Sequence, residues 1–167
     1  MAQFLGIVAF CLSILSYQQN EHKKIVIFQF IMNICFMMHF YLLGAYTGAV
    51  LNTIGVLRNV VFMFKEKRWA KSNLWIVFFS ICCILAVAFT WDGIISFLPM
   101  TGMVLTTIAM GIDNPKLTRA FSLPSSPLWL IYNLINKSYG GVMTEVFNMT
   151  SIVIGMIRFD KKDKIEA

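Results

Sequence analysis

The sequence predicts an all-α, polytopic membrane protein, its seven transmembrane helices forming two parallel three-helix repeats joined by one linker helix, a 3+1+3 plan. Three observations predict it. The chain of 167 residues is 58% apolar and only 13% charged, with a mean hydropathy of +0.72, whereas a soluble domain averages about 45–50% apolar and about 25% charged residues. Apolar runs of spanning length follow one another with short polar breaks between them. The chain also aligns with itself, without a gap, at a shift of 93 residues. This composition excludes a soluble globular domain, a disordered chain and a nucleic-acid-binding domain, whose basic residues need a polar body to carry them.

A transmembrane helix takes about 20 residues, and the apolar runs give seven spans: 3–17, 25–43, 46–64, 74–91, 93–111, 120–135 and 141–159. The breaks read as turns: Gln18-Gln19-Asn20-Glu21, Gly44, the stretch 65–73, Asp92-Gly93, Asp113-Asn114-Pro115 and Asn136-Lys137-Ser138. The first and sixth spans are short. The sixth is also polar and carries Pro124 and Pro127, which makes it the least helical of the seven by sequence.

Charge tests the count. With seven alternating helices, one membrane face receives Lys23, Lys24, Lys65, Lys67, Arg68, Lys71, Lys116, Arg119, Arg158, Lys161, Lys162 and Lys164, and the other receives only Lys137. Arg58 falls within a span. Adding or removing a span would scramble this separation, so the positive-inside rule predicts an N-terminus outside and a C-terminus inside, on the cytoplasmic face. Orientation thus accounts for the net charge of +6 without a nucleic-acid partner. Cys11, Cys35, Cys82 and Cys83 all lie in apolar runs and read as small core side chains, not as disulfide or metal ligands. The first span lacks the basic flank and small-residue cleavage site of a signal peptide.

The self-alignment sets Phe4 on Phe97, Leu12 on Leu105, Ser13 on Thr106, Lys23 on Lys116, Tyr46 on Tyr139, Gly48 on Gly141 and Lys65 on Arg158. Loop charges, aromatic–glycine turns and helix ends therefore stay in step across both halves. Three helices per half would invert the second half if joined directly, and one linker helix restores its orientation. The expected organisation is a first repeat over 1–69, a linker helix within 70–92 and a second repeat over 93–167. Span four, uncharged and apolar nearly all round, suits a lipid-facing linker.

The run His39-Phe40-Tyr41-Leu42-Leu43-Gly44 followed by Tyr46 and Asn52 resembles the YgjV-type bacterial inner-membrane proteins. Trp129-Leu130-Ile131-Tyr132-Asn133, Gly140-Gly141 with Glu145, and Ile157-Arg158-Phe159 extend the likeness over nearly the whole chain. The helix plan is similar to that of the SWEET, PQ-loop and Pnu vitamin-transporter group, parallel repeats about an axis along the membrane normal. That resemblance implies a small solute held midway through the membrane by the second, third, sixth and seventh helices. The PQ dipeptide itself is absent, and Pro99, Pro124 and Pro127 all fall in the second half.

Polar groups in hydrocarbon are costly unless satisfied, so polar residues within spans mark a cavity or a packed interface. Gly48, Asn52, Gly55 and Asn59 form one stripe at helical spacing, and Gly141, Glu145, Asn148 and Ser151 form another. Helix packing accounts for the glycines, but packing requires neither an amide nor a carboxyl. Asn52 and Glu145, equivalent in the repeat, are therefore expected at a solute site with Asn148. Trp129 and Tyr132 share a helix face beside Asn133, and the repeat sets Asn33 and Phe36 opposite Ser126 and Trp129. Asn33, Asn52, Trp129, Tyr132, Glu145 and Asn148 are thus the expected substrate-binding residues, with Asn33 and Tyr132 at the edges.

Glu145, the one acidic residue expected inside a span, is a candidate for coupling to a proton or cation. His39 and Arg58 are further coupling candidates. A structural hydrogen bond is the competing reading for His39, and snorkelling to the membrane surface or a structural pairing for Arg58. His22 reads as a loop residue. The expected function is transport or facilitated passage of a small polar solute (a sugar, nucleoside or vitamin-like molecule) by alternating access. The alternative is a seven-helix receptor or scaffold, which would call for long loops or an output domain. No zinc motif, aspartate pair or nucleophile–His–carboxylate set points to an enzyme. No cofactor or metal is expected, and the partners are the solute and the lipid bilayer.

Overall fold

The structure, a computed structural model, describes residues 1–17, 19, 21–112 and 114–160, with the backbone alone for Tyr17, His22, Pro115, Phe159 and Asp160. Gln18, Asn20, Asp113 and the basic residues Lys161, Lys162 and Lys164 of the charge argument lie outside the described residues. The described chain is all-helical: α1 (Ala2–Tyr17), α2 (His22–Leu42), α3 (Tyr46–Met63), α4 (Leu74–Phe89), α5 (Phe97–Gly111), α6 (Pro115–Ile135) and α7 (Tyr139–Gly155). A 3₁₀ turn, Ile94–Ser96, leads into α5, and a π-helical turn, Met156–Asp160, follows α7.

The helices run alternately up and down. Among the described residues α1, α2, α3, α5, α6 and α7 close into a ring in which each touches the next and α7 returns to α1. α4 stands outside this ring, against α3 and α5. It presents Phe79, Cys83 and Val87, one face at i, i+4 and i+8, to the bundle and leaves Val77, Phe78, Ile81, Ile84, Leu85 and Phe89 exposed.

Burial is inverted relative to a soluble protein. Asn33, His39, Asn52, Arg58, Asn59, Asn133 and Asn148 are buried, while large apolar side chains cover every helix exterior. That exterior, against the polar interior, is a surface made for lipid. Lys23–Leu42, Ile94–Gly111 and Tyr139–Arg158 are each long and apolar enough to cross a bilayer, and Ala2–Ser16 and Leu74–Phe89 are shorter apolar helices. α3 and α6 carry dense inward polar stripes, Thr47, Asn52, Arg58 and Asn59 on α3 and Ser122, Ser125, Ser126 and Asn133 on α6, which lowers their apolar content.

Turn chemistry fixes the helix ends. α2 stops at Gly44, whose φ of +75° suits a residue without a Cβ. Ala45 then donates its N–H to Phe40 O at 3.0 Å. α6 ends in the same way 93 residues later: Lys137 takes a φ of +52°, and Ser138 N donates to Asn133 O at 2.9 Å.

The sixth span differs from its expectation. α6 is one unbroken helix from Pro115, five residues before the expected start at 120, with Pro124 and Pro127 inside it. Its N-terminus is set by Asn114, whose Oδ1 accepts from Lys116 N at 3.0 Å and Leu117 N at 3.3 Å, with Pro115 at a first-turn position where no donor is needed. Both inner prolines lie on the exposed face. The opposite face packs into the bundle through Ser122, Ser125, Ser126 and Trp129, which are buried. Two smaller expectations also change. α2 already begins at His22, which is therefore helical and not a loop residue, and Cys11 faces outward while Cys83 is buried.

Candidate functional site

Inside the ring lies a cavity of about 70 Å³. α2 and α6 contribute the longest walls, because each turns a polar or aromatic stripe inward. On α6 that stripe is Ser122, Ser126, Trp129 and Asn133, at i, i+4, i+7 and i+11; on α2 it is Gln29, Asn33, Phe36 and Phe40. α3 adds Asn52 and Arg58, α5 adds Met103 and Thr106, and α7 adds Thr144, Glu145 and Asn148. Six pairs of wall residues stand 93 positions apart: Gln29 and Ser122, Met32 and Ser125, Asn33 and Ser126, Phe36 and Trp129, Phe40 and Asn133, Asn52 and Glu145.

The Glu145 carboxyl faces Ser126 and Asn148 of its own half, and Asn148 Oδ1 accepts from Ser13 Oγ at 2.7 Å. The first half is built differently. Asn52 Nδ2 turns back on Gly48 O at 2.8 Å, and Asn33 Nδ2 is buried without a partner. Asn133 Oδ1 and Ser122 Oγ on the cavity wall also lack partners. Buried polar atoms in this condition cost free energy that water or a ligand recovers.

Arg58 is 2% exposed, which corrects the snorkelling expectation. Its side chain stays inside because acceptors meet it there: Thr107 Oγ1 at 3.1 Å, Thr106 Oγ1 at 3.3 Å, Met103 Sδ at 3.4 Å and, through Nε, Asn59 Oδ1 at 3.2 Å. A guanidinium needs several such bonds before burial becomes tolerable.

The aromatic rings lie toward the end of the bundle that holds Met1. Phe40 stacks on Phe36 and Trp129 at centroid distances of 5.8 and 6.0 Å, and Tyr132 meets Trp129 edge-on at 5.9 Å. Trp129 reaches its position because Gly102 on α5 leaves room for the indole.

The structure brings Asn33, Asn52, Trp129, Glu145, Asn148 and Arg58 to one cavity wall. It leaves Tyr132 and His39 off that wall, and both are buried in contacts between the halves. Gly48 N–H on α3 donates to Tyr132 Oη at 2.9 Å. His39 Nε2 lies 2.7 Å from Ser138 Oγ at the start of α7, and its Nδ1 lies 2.7 Å from Ala2 O. These two residues are themselves 93 positions apart. Each ties the second helix of one half to the third helix of the other, close to the end where Met1 lies.

Ser122, Ser125, Ser126, Gln29 and Thr144 were not expected on the wall. Their signal was present in the i, i+4, i+7 spacing of 122, 126 and 129, but the two prolines suggested a break where that face runs through. Among the described residues no three His, Cys, Asp or Glu side chains come together.

A family of bacterial inner membrane proteins, Imp-YgjV, matches residues 1–163. The inner membrane protein YgjV of Escherichia coli (strain K12) is 21% identical over 164 residues, which cover 98% of this chain and 87% of the relative. No solved structure matches the chain. With the match spanning all seven helices, an apolar exterior and a polar core, the chain belongs to the Imp-YgjV family and is a multi-pass bacterial inner membrane protein.

Proposed function

We propose that this protein carries a small polar solute across the inner membrane by alternating access between two three-helix repeats, and that it performs no chemistry on that solute. The observation that carries this reading is the composition of the cavity wall. It mixes polar with apolar and aromatic side chains, it is lined by both halves, and twelve of its eighteen residues stand in pairs in the 93-residue register. Helix packing alone would favour small residues there. A carboxyl, several amides and three orphan polar atoms instead suit a hydrated or solute-filled chamber. The matching ends of α2 and α6, and the place of α4 outside the ring, support the parallel 3+1+3 plan.

In this reading the first repeat is 1–69, the linker 70–92 and the second repeat 93–167, with the N-terminus periplasmic and the C-terminus cytoplasmic. The cavity is then closed toward the periplasm by Phe40, Trp129 and Tyr132, with the His39–Ser138 contact beside them. Its volume is far below the ~300–1,000 Å³ of drug-sized sites, so this closed state fits a solute of few heavy atoms. Asn33, Asn52, Trp129, Glu145 and Asn148 contact it, and Tyr132 and His39 hold the closure.

Uptake into proteoliposomes of purified protein, with sugars, nucleosides, vitamins and amino acids each offered as radiolabelled solutes, tests the reading. Saturable uptake of one class, competed by its unlabelled form and lowered by Trp129→Ala, is expected. Protein-free rates for every class would overturn it.

A further inference from the structure

Between α3 and α4 the stretch 65–71 holds four basic residues against one acidic, Glu66. Since the helices alternate from Met1 onward, this loop lies at the end of the bundle away from Met1. It is a folded segment. Lys67 N donates to Phe64 O at 2.8 Å, Ala70 N to Lys67 O at 3.0 Å and Lys71 N to Lys67 O at 3.1 Å, and Ala70 is fully buried. The last of these bonds closes one helical turn, which sets Lys67 and Lys71 on one side of the loop with Cβ atoms about 5–6 Å apart. Arg68, three residues before Lys71, adjoins that side.

Three of the four cations keep unused donors. Lys65 is engaged, its ammonium donating to Gly111 O at the end of α5. Lys67 stands 5.1 Å over the Phe64 ring, and a ring face occupies only one side of an ammonium. Arg68 and Lys71 are exposed, and among the described residues neither these three cations nor Glu66 enters an ion pair.

An aromatic ladder descends beside them. Phe64 lies 6.3 Å from Trp69 between centroids, Trp69 meets Trp75 edge-on at 6.2 Å, and Trp75 meets Phe78 edge-on at 5.7 Å. Trp75 Nε1 donates to Trp69 O at 2.8 Å, which ties the loop to the first turn of α4. Trp69, Leu74, Val77, Phe78 and Ile81 are exposed, so the ladder leads from the cations onto the apolar outer side of α4. Indoles at headgroup level with apolar side chains beneath them suit a membrane interface. The positive-inside rule asks only that basic residues share one face. It does not ask that three of them be fixed together beside a row of rings.

We propose that this loop docks an anionic phospholipid of the surrounding bilayer, its phosphate held by Lys67, Arg68 and Lys71 and its acyl chains lying along Trp69, Phe78 and the outer side of α4. Charge-assisted bonds from ammonium and guanidinium groups to phosphate oxygens supply the attraction. The site selects headgroups of net negative charge, such as phosphatidylglycerol, because phosphatidylethanolamine brings an ammonium of its own that the clustered cations repel. In the proposed orientation the lipid belongs to the cytoplasmic leaflet. The docking is independent of whether the protein transports a solute.

The test is quenching of tryptophan fluorescence in the full chain, reconstituted into phosphatidylcholine vesicles that contain a minor fraction of one acyl-brominated lipid: phosphatidylglycerol, phosphatidylethanolamine or phosphatidylcholine. Brominated phosphatidylglycerol is expected to quench with an apparent affinity about tenfold or more above the other two. Replacing Trp69 and Trp75 together by Phe should remove most of that difference, since Trp91 lies at the other end of the bundle and Trp129 is buried. The triple variant Lys67→Gln, Arg68→Gln, Lys71→Gln should abolish the preference. Lys23→Gln, Lys24→Gln, Lys116→Gln, which removes the same charge from other helix ends on the same face, should keep it. If the first triple variant fails to fold, the lipid series on wild type and on the Trp69, Trp75 variant decides the matter. Equal quenching by all three lipids overturns the proposal, as does a difference that survives loss of both tryptophans. Equal loss in the two triple variants also overturns it, because the attraction then belongs to the whole face. Displacement of the brominated lipid by soluble glycerol 3-phosphate would overturn it in favour of a phosphate site that needs no bilayer.

Discussion

At the residue scale, close backbone approach and unusual dihedrals make the sharpest demands. A Cβ on Gly140 would fall on the backbone of Gly6, so α1 and α7 touch there without side chains between them. Gly140→Ala should therefore force these helices apart and strongly reduce folded protein, read by size-exclusion chromatography in detergent. Gly44→Ala meets open space and carries only the left-handed backbone penalty of about 1 kcal/mol, a small fall in melting temperature. Lys137 pays that same penalty at φ +52°, so Lys137→Gly should raise the melting temperature slightly. Tyr132→Phe removes the acceptor of the Gly48 N–H and should cost about 1–2 kcal/mol. A melting temperature equal to wild type would show that water replaces the phenol.

At the scale of elements, α6 and α4 are the informative helices. An inner proline costs about 3 kcal/mol in a helix interior, yet Pro124 and Pro127 sit inside α6 on its exposed face. The double variant Pro124→Ala, Pro127→Ala is accordingly expected to be at least as thermally stable as wild type, by detergent melting curves. A lower melting temperature would mean that the prolines are needed to aim the serine face. α4 tests the lipid-facing exterior. Ile81→Lys, on its exposed side, should cost about 2.5–3.5 kcal/mol on the insertion scale and lower membrane yield, whereas Ile81→Leu should not.

For the whole molecule, orientation is the open physical prediction. Twelve basic residues assigned to one face and one to the other predict that an alkaline phosphatase fusion after Ala167 is inactive and a fluorescent-protein fusion there is bright. The reverse pattern would refute the proposed orientation, and with it the direction in which the closed end of the cavity faces. The two contacts between halves, His39 with Ser138 and Tyr132 with Gly48, lie at the end of the bundle that holds Met1. The proposed alternating access would require them to break together, since His39 and Tyr132 stand 93 positions apart.

The seven helices, the Gly44 and Gly93 turns and an interior richer in amides than its surface were legible in the sequence. Hydropathy and turn chemistry are local, and a bilayer makes apolar runs and their polar exceptions conspicuous. So was the grouping of Asn52, Glu145 and Asn148, because a polar residue in hydrocarbon has few places to point. Only the tertiary structure decided that Arg58 turns inward, that the proline-bearing sixth helix runs unbroken, and that Tyr132 and His39 join the two halves instead of lining the chamber. Each of these depends on partners far away in the chain: Thr106 and Thr107 for Arg58, Gly102 and Gly48 for the face of α6, Ser138 and Ala2 for His39. A buried polar group goes wherever its hydrogen bonds can be completed, and that place is set by which helices become neighbours.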